Sequence, residues 1–296
     1  MASATTPLRD ANAIVSTLIE RFAAEVEAKL DGDLLAYKGP MIMPVDEYIK
    51  NAIESKEDKS ERLLFFLETE GGYLNTVVRI VNTIRHFYEY VDFIIPNYAF
   101  SAGTVLALSG DEIYMDYFSV LGPIDPQVQS QDGRMIPALG YVERYENLIR
   151  KADSGDINTA ELTLLVQAFD QGLLQMYEHE RSLAIQLIED WLPKYKFKDW
   201  NSTETRNVPV DDDMKKKRAS DIASILSDNS RWHSHGIGIN KDILVNDLNL
   251  KIKDYGENKE LSDAVRDFHG LLIDYSSKMA YQTILYTPGN LLVPLR

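Results

Sequence analysis

The sequence predicts an α/β fold in which helices cover a mostly parallel sheet and a helical extension follows on the carboxyl side. Between residues 34 and 127, short unbroken apolar runs alternate with stretches whose apolar residues recur at helical spacing. Alternation at this spacing is typical of right-handed crossovers between parallel strands. We therefore divide the chain into an amino-terminal amphipathic helix (1–33), a core (34–155) and a helical extension packed on the core (156–296).

The first element is a helix over residues 11–30. Its apolar residues recur every four positions, at Ile14, Leu18, Phe22, Val26 and Leu30. The polar face is rich in acidic residues, which anionic lipid disfavours. We therefore expect this helix to pack on its own domain or on a sister subunit rather than on a membrane surface.

Three buried strands are predicted in the core. Residues 63–67 form an apolar run without polar interruption, as expected of a strand that is covered on both faces. Residues 91–95 and 112–115 form the next two strands. Helical spacing over residues 74–87 and a short run of small apolar residues over 101–109 predict the helices that separate them.

Beyond residue 137 the pattern changes to helices. They are predicted over residues 141–152, 158–191, 212–228 and 258–282. Residues 235–239 and 248–252 are candidates for short strands within this part of the chain.

Composition excludes several classes of function. The chain has 296 residues and a net charge of −15, which disfavours binding to nucleic acid because phosphate backbones are also negative. It has no cysteine, so disulfide scaffolds, thiolate metal sites and a cysteine nucleophile are excluded. No apolar stretch is long enough for a membrane span, and residues 1–10 lack the pattern of a signal peptide. We therefore expect no transmembrane segment and a cytoplasmic location.

Two features follow the carboxyl ends of successive predicted strands. Gly71 and Gly72 come directly after the first strand, and Ser101 lies on the turn between the second strand and a short helix. Each feature alone is more often a simple turn or helix cap, but ligands bind at this edge of open parallel sheets. Acyl transfer needs a nucleophile and two donors for the developing oxyanion. Ser101, the amide of Ala102 and an amide in the Gly71-Gly72 turn meet that requirement.

Several runs of the sequence resemble one known family. They are residues 70–72, 96–104, 110–116, 121–127, 191–200 and 231–236. Together they resemble the serine dehydrogenase proteinase family, which belongs to the ClpP/crotonase superfamily beside the signal peptide peptidase SppA. The resemblance covers most of the chain from about residue 35 onward.

This resemblance implies a ClpP/crotonase-like core and a serine peptidase that acts on peptide or protein substrates through an acyl-enzyme. Ser101 matches the nucleophile, and Gly72 with Ala102 matches the oxyanion hole. No cofactor and no metal are expected. The resemblance also implies a homo-oligomer, and the residues give a reason of their own. Helices over 11–30 and 258–282 exceed what one sheet can cover, so their apolar faces would seek a symmetric partner.

The general base has several candidates. SppA-like relatives use a lysine downstream of the serine, and Lys151 lies 50 residues after Ser101. A lysine acts as a base only where burial disfavours its ammonium form. An alignment on the archaeal relatives instead brings their lysine near Tyr141. His233 and His235 lie two residues apart and are alternative bases, although a hydrogen-bonded loop pair or a metal pair would give the same spacing.

A further lysine-rich stretch follows the long helix. Lys194, Lys196 and Lys198 alternate with Tyr195 and Phe197, which favours an edge or surface segment. The alternative interpretation is that one of these lysines is a backup general base.

Two other functions fit the same residues. A crotonase-type acyl-CoA enzyme would use the same pair of amides on a thioester enolate without a serine nucleophile. A catalytically impaired oligomeric scaffold would keep the fold after losing its base. Turnover of a thioester would identify the first, and failure of a fluorophosphonate to label Ser101 would indicate the second.

Overall fold

A computed structural model describes residues 10–124, 127–129, 135–203, 207–232, 234 and 236–294 of the chain. Its helices are α1 (Ala11–Leu30), α2 (Val45–Glu54), α3 (Leu74–Phe87), α4 (Ala102–Ala107), α5 (Ala138–Ser154), α6 (Thr159–Ala168), α7 (Gln171–Lys194), α8 (Asp212–Leu226), α9 (Asn229–Trp232), α10 (Lys241–Asn246) and α11 (Lys259–Lys278). Its strands are β1 (Asp33–Lys38), β2 (Arg62–Glu68), β3 (Tyr90–Ile94), β4 (Tyr98–Ala99), β5 (Glu112–Met115), β6 (Val120–Leu121), β7 (Gln127–Gln129), β8 (Met135–Pro137), β9 (Ile239–Asn240), β10 (Lys253–Asp254), β11 (Ile284–Thr287) and β12 (Asn290–Pro294).

The core is a seven-stranded sheet with the order β10-β5-β3-β2-β1-β11-β12. The strands β1, β2, β3 and β5 run parallel, and Phe65 of β2 lies between Leu35 of β1 and Phe93 of β3. The strand β10 is parallel to β5, whereas β11 and β12 are antiparallel additions beyond β1. The predicted α/β fold with a mostly parallel sheet is therefore confirmed. The carboxyl ends of β1, β2 and β3 lie along one edge.

The apolar run of β2 is buried on both faces of the sheet. Leu63, Phe65 and Leu67 belong to the larger core cluster, which includes residues of α2, α3, α4, α7 and α8. Leu64 and Phe66 belong to a second cluster under α1 and α11. None of these five side chains is more than 3% exposed. Helices on both faces therefore explain why the run has no polar interruption.

The two terminal helices pack against each other on the second face of the sheet. Ile19 and Val26 of α1 and Val265 and Phe268 of α11 are all buried there. The expectation that helices over 11–30 and 258–282 leave uncovered apolar faces is therefore wrong, because each helix covers the other. After α11 the chain returns as β11 beside β1, an addition to the sheet that the sequence did not predict.

The extension departs from its predicted pattern in two places. The helix predicted over 158–191 is two helices, α6 and α7, which are separated at Phe169 and Asp170. The short strand predicted over 235–239 overlaps β9 only at Ile239. The short strand predicted over 248–252 is not formed, and β10 begins directly after that range, at Lys253. None of the helices in the part of the chain that the structure describes is long and apolar enough to cross a lipid bilayer.

A group of buried charges lies at the amino edge of the sheet and anchors the segment after α7. Asp111 accepts a hydrogen bond from Arg85 Nη1 at 2.7 Å and from the Val91 N–H at 2.7 Å. Lys198 Nζ lies 2.6 Å from Asp111 Oδ1. Burial alone would raise the pKa of Asp111. The charge and hydrogen bond of Arg85 and the hydrogen bond of Lys198 have the larger, opposite effect, so the pKa of Asp111 lies below its ordinary value. Asp111 therefore joins β3, α3 and the extension.

We expect Asp111→Ala to lower the free energy of unfolding by about 3–5 kcal/mol, because it leaves the Arg85 guanidinium buried without its carboxylate. Both side chains of this pair are only 8% exposed. The pKa of Asp111 is lowered in the folded state, so its contribution is present at neutral pH and is lost as the pH falls through that lowered value. Urea denaturation measures the loss.

The matched control is Asp274→Ala, which removes one partner of an exposed ion pair with Lys278. That change should cost less than about 1 kcal/mol. Equal losses for the two variants would contradict a structural role for Asp111.

Candidate active site

The ends of β2 and β3 bring the two predicted site segments together. Just beyond β2, Thr69 forms a parallel bridge with Ala99. As a result, a Cβ placed on Gly71 would lie 2.9 Å from Ser101 Cβ and 3.3 Å from the Ala102 nitrogen. The glycine turn and the serine turn are therefore direct neighbours at the carboxyl edge of the sheet.

The Gly71-Gly72 turn is held by the chain around Met41. The Met41 N–H donates to Gly71 O, and Met41 O accepts from the Tyr73 N–H, both at 2.8 Å. The φ angles of Gly71 and Gly72 are 103° and 150°, and a Cβ on Gly72 would overlap the Met41 backbone, so glycine is required. The Gly71 N–H is bonded to Thr69 Oγ1 at 3.0 Å. The Gly72 N–H has no acceptor among the described residues, which leaves it as the available donor of the two.

Ser101 has a strained backbone, with φ 51° and ψ −118°. Hydrogen bonds around it maintain this conformation: Ser101 O accepts from the Thr104 N–H at 2.9 Å, and Thr104 Oγ1 donates to Ala99 O at 2.8 Å and lies 2.9 Å from Gly122 O. Strain at a strand-to-helix turn is typical of an exposed serine nucleophile. No described residue forms a hydrogen bond with Ser101 Oγ or accepts one from the Ala102 N–H.

Together these groups are suited to a reaction at a carbonyl. Ser101 lies on a turn that directly contacts Gly71, and the amides of Gly72 and Ala102 have no acceptor among the described residues. Two convergent N–H donors next to a nucleophile stabilise the negative oxygen that forms when a carbonyl is attacked. The sheet edge therefore brings together a hydroxyl and backbone amides of the kinds that such a reaction requires.

Exposed apolar side chains flank the Gly72 amide on both chain segments of the turn. Ile42 and Met43 are 45% and 74% exposed on the Met41 loop, and Tyr73 is 62% exposed directly after Gly72. This rim gives the edge an apolar surface next to the donors.

Lys151 lies near the end of α5 and forms an ion pair with Glu161 of α6. Lys151 Nζ is 2.5 Å from Glu161 Oε1, and the lysine side chain is 42% exposed. The hydrogen bond from Lys151, followed by that from the Asn158 backbone, lowers the pKa of Glu161. The Lys151 amino group is thus engaged by a carboxylate of α6. Among described residues, no hydrogen bond or ion pair links Lys151 to Ser101.

The alternative bases and the position aligned with the archaeal lysine lie in different parts of the chain. His233 and His235 lie outside the described residues, so their role stays a prediction. Tyr141 lies in a small cluster between α5 and α7, where its hydroxyl accepts the Asp170 N–H at 2.8 Å. Within the described ranges, no group of three or more acidic, histidine or cysteine side chains is arranged to hold a metal ion.

Lys196 is buried rather than part of a surface segment, so that prediction is wrong for this residue. Its side chain is 2% exposed, and Nζ lies 3.4 Å from Glu112 Oε2. Burial lowers its pKa, with Glu112 acting in the opposite direction. Glu112 begins β5, so Lys196 lies at the amino edge of the sheet. Ser101 follows the opposite edge, and Lys196 therefore cannot act as its base.

Three residues that shape the site were not predicted. Met41 belongs to a loop without a strand pattern, and Thr69 was not distinguished from the end of β2. Thr104 offered a usable signal, since a hydroxyl inside a run of small apolar residues is buried and needs hydrogen-bond partners.

The family model for ClpP-like SDH-type serine proteinases matches residues 37–205, more than half of the chain. The match contains Gly71, Gly72, Ser101, Ala102 and Lys151. It leaves out α1 and everything from α8 to β12.

Relatives and solved structures give further similarities. Two uncharacterized proteins of Methanocaldococcus jannaschii are 32% and 31% identical over 123 and 142 residues, or 42% and 48% of this chain. These alignments span only 40% and 44% of those proteins, less than half of their length. A serine-to-alanine mutant of the 1510-N membrane-bound stomatin-specific protease covers 77% of this chain and 81% of its own, at 14% identity and a TM-score of 0.45. A lysine-to-alanine mutant of that protease with a substrate peptide covers 88% and 85%, at 16% identity and the same score of 0.45. The ClpP catalytic domain of Plasmodium falciparum covers 40% and 63%, at 8% identity and a TM-score of 0.29.

Proposed function

We propose that this chain, which belongs to the family of ClpP-like SDH-type serine proteinases, hydrolyses peptide bonds through an acyl-enzyme on Ser101. The observation that carries the proposal is the contact between the strained Ser101 turn and the Gly71-Gly72 turn, in which the Gly72 and Ala102 amides have no acceptor among the described residues. Acyl transfer requires this combination of nucleophile and donors.

In the proposed mechanism, Ser101 Oγ attacks the scissile carbonyl carbon while a general base takes its proton. The carbonyl oxygen becomes negative and accepts hydrogen bonds from the Gly72 and Ala102 amides. The carbon–nitrogen bond then breaks, and the protonated base gives its proton to the leaving amine. Water attacks the resulting ester with the help of the same base and releases the acid and free Ser101. These steps need no cofactor.

The apolar rim of Ile42, Met43 and Tyr73 supports a peptide substrate with apolar side chains next to the scissile bond. Burial of such side chains against the rim would contribute binding energy through the hydrophobic effect.

Ser101→Ala should abolish hydrolysis of a peptide ester or amide, with a loss of several orders of magnitude, because the acyl-enzyme can no longer form. Folding should persist, since the change removes only a hydroxyl at a turn. Labelling with a fluorophosphonate, mapped by mass spectrometry, should place the adduct on Ser101 in the wild-type chain.

The matched control is Ser277→Ala, which changes an exposed serine on α11. It should retain both turnover and labelling. Unchanged peptide hydrolysis in Ser101→Ala would refute the serine peptidase. Thioester turnover that survives Ser101→Ala would identify the crotonase-type alternative, and an unlabelled, inactive wild type would favour the impaired scaffold.

For the general base we propose that Lys151 be tested first, with His233 and His235 as alternatives. The ion pair with Glu161 opposes the role, because it occupies the amino group that would have to reach Ser101. Lys151 would therefore accept the serine proton only when this contact is broken.

Two variants give opposite results if Lys151 is the base. Lys151→Met should remove nearly all turnover, since no titratable group remains. Glu161→Gln removes the partner carboxylate, so the neutral lysine should form at lower pH and the rising limb of the pH–rate profile should shift to lower pH. Full activity in Lys151→Met, with a limb near pH ~6.5, would instead indicate a histidine.

We also propose a homo-oligomer, with α6 as a contact surface. Leu162, Leu164 and Val166 of α6 are 47%, 39% and 73% exposed. Glu161, the one charged residue of this helix, is paired with Lys151. An apolar helix exposed in this way is suited to pack against a second copy of the chain.

Val166→Glu should shift the assembly toward the 33.6 kDa monomer in light scattering, because it buries a charge in the proposed contact. Val245→Glu, at an exposed valine on α10, serves as the matched control and should leave the mass unchanged. A strictly monomeric wild type at micromolar concentration would refute the proposal.

A further inference from the structure

Glu68 carries a buried carboxylate at the carboxyl end of β2, on the face of the sheet covered by α11. Its side chain is 5% exposed. His269 Nε2 lies 2.7 Å from Glu68 Oε2, and Asn97 Nδ2 donates to the same oxygen at 3.3 Å. Lys38 Nζ lies 3.2 Å from Oε1, and the Gly39 N–H donates to the backbone oxygen of Glu68 at 3.1 Å. One carboxylate thus joins the ends of β1, β2 and β3 to a helix of the extension.

Each of the three strand ends joined by Glu68 continues into the candidate active site. The chain after β1 reaches Met41, which pairs with the Gly71-Gly72 turn. Glu68 itself precedes Gly71 by three residues, and Asn97 precedes Ser101 by four. The carboxylate is therefore a side-chain contact shared by the segments that lead to the two proposed oxyanion donors and the nucleophile.

His269 reaches Glu68 from outside the family-matched region, residues 37–205. It belongs to α11, whose position is also fixed by an ion pair one turn earlier, with Arg266 Nη2 2.8 Å from Asp116 Oδ2. Asp116 directly follows β5, so α11 is attached to the carboxyl edge of the sheet at two points.

We propose that Glu68 and His269 are positioning residues of the oxyanion hole. His269 holds the Glu68 carboxylate in place, and Glu68 keeps the Gly72 amide and the Ser101 turn at a fixed separation. The inference rests on the proposed peptidase function and deepens it, since it assigns to α11 a role in the site. Neither residue contacts the substrate carbonyl.

The charge on Glu68 is maintained by its neighbours. Burial alone would raise the pKa of Glu68. The hydrogen bond and charge of His269, followed by those of Lys38, have the larger, opposite effect, so the pKa of Glu68 lies below its ordinary value. Around neutral pH the carboxylate is therefore ionised. An ionised carboxylate forms stronger hydrogen bonds than a neutral one, so the three donors can be held together.

The first test compares His269→Ala with His269→Gln by measuring kcat and KM for a peptide ester. His269→Ala removes the donor to Glu68, and we expect kcat to fall about 10–100-fold, as for other residues that orient a catalytic group through one contact. KM should stay near the wild-type value, because the substrate-binding rim is untouched. His269→Gln keeps an N–H donor and should retain most of kcat.

The second test does not depend on activity. Hydrogen exchange at the amides of Met41, Tyr73 and Phe100 reports on the turn, because these amides bond Gly71 O, Met41 O and Thr69 O. In His269→Ala they should exchange faster than in wild type, while the amide of Phe93 in the centre of the sheet should not change. Asp274→Ala, on the same helix and in an exposed ion pair, is the control and should match wild type in both tests.

The proposal is overturned if His269→Ala keeps the wild-type kcat and the wild-type exchange at the turn. It is also overturned if exchange rises equally throughout the sheet, because His269 would then be only a general stability contact. If the wild type hydrolyses no peptide ester, the peptidase function fails, and the exchange data still decide whether His269 holds the turn.

Discussion

The parallel pairing of β2 with β3 is the interaction on which the candidate site depends. Gly71 and Ser101 are 30 residues apart in the chain, yet they leave the sheet side by side because their strands run in the same direction. The bridge between Thr69 and Ala99 extends this pairing past the strands. A slip of one residue would exchange the faces of Phe65 and Phe66, which pack in different clusters, so burial on both faces also fixes the register of the site.

The two edges of the sheet serve different purposes. At the amino edge, Arg85 and Asp111 form a buried ion pair, and Lys198 of the extension contacts the same carboxylate. At the carboxyl edge, Ser101 keeps an unfavourable φ, and the Gly72 amide is left without an acceptor among the described residues. Backbone strain of this kind costs on the order of 1–3 kcal/mol and persists only where the surrounding structure enforces it. The hydrogen bonds of Thr104 and the two core clusters supply that support.

The sequence predicted correctly those helices and strands that are determined by the pattern of apolar residues within the element itself. The helix over 11–30 and the strand over 112–115 have the predicted bounds, and the positions of Gly71 and Ser101 at one edge follow from the order of the strands. The strand β11 follows the helix predicted over 258–282 and was not predicted itself, because only its pairing with β1 makes it a strand. The contact between His269 and Glu68 joins residues 201 apart in the chain, and no spacing rule indicates it. Long-range pairings of this kind account for what sequence reasoning missed.

The parts of the proposed catalytic machinery are also held with unequal strength. The nucleophile and the amides are attached to a sheet whose two faces are packed by large clusters of buried side chains. Lys151 lies on α5, whose neighbouring small cluster has Val142, Leu174 and Tyr177 as its buried members among the described residues. Since local opening costs less where fewer apolar contacts are buried, we expect α5 to open more readily than the sheet that carries the proposed oxyanion hole. A base on α5 would therefore need a further contact to fix it, whereas the oxyanion hole already has one in Glu68.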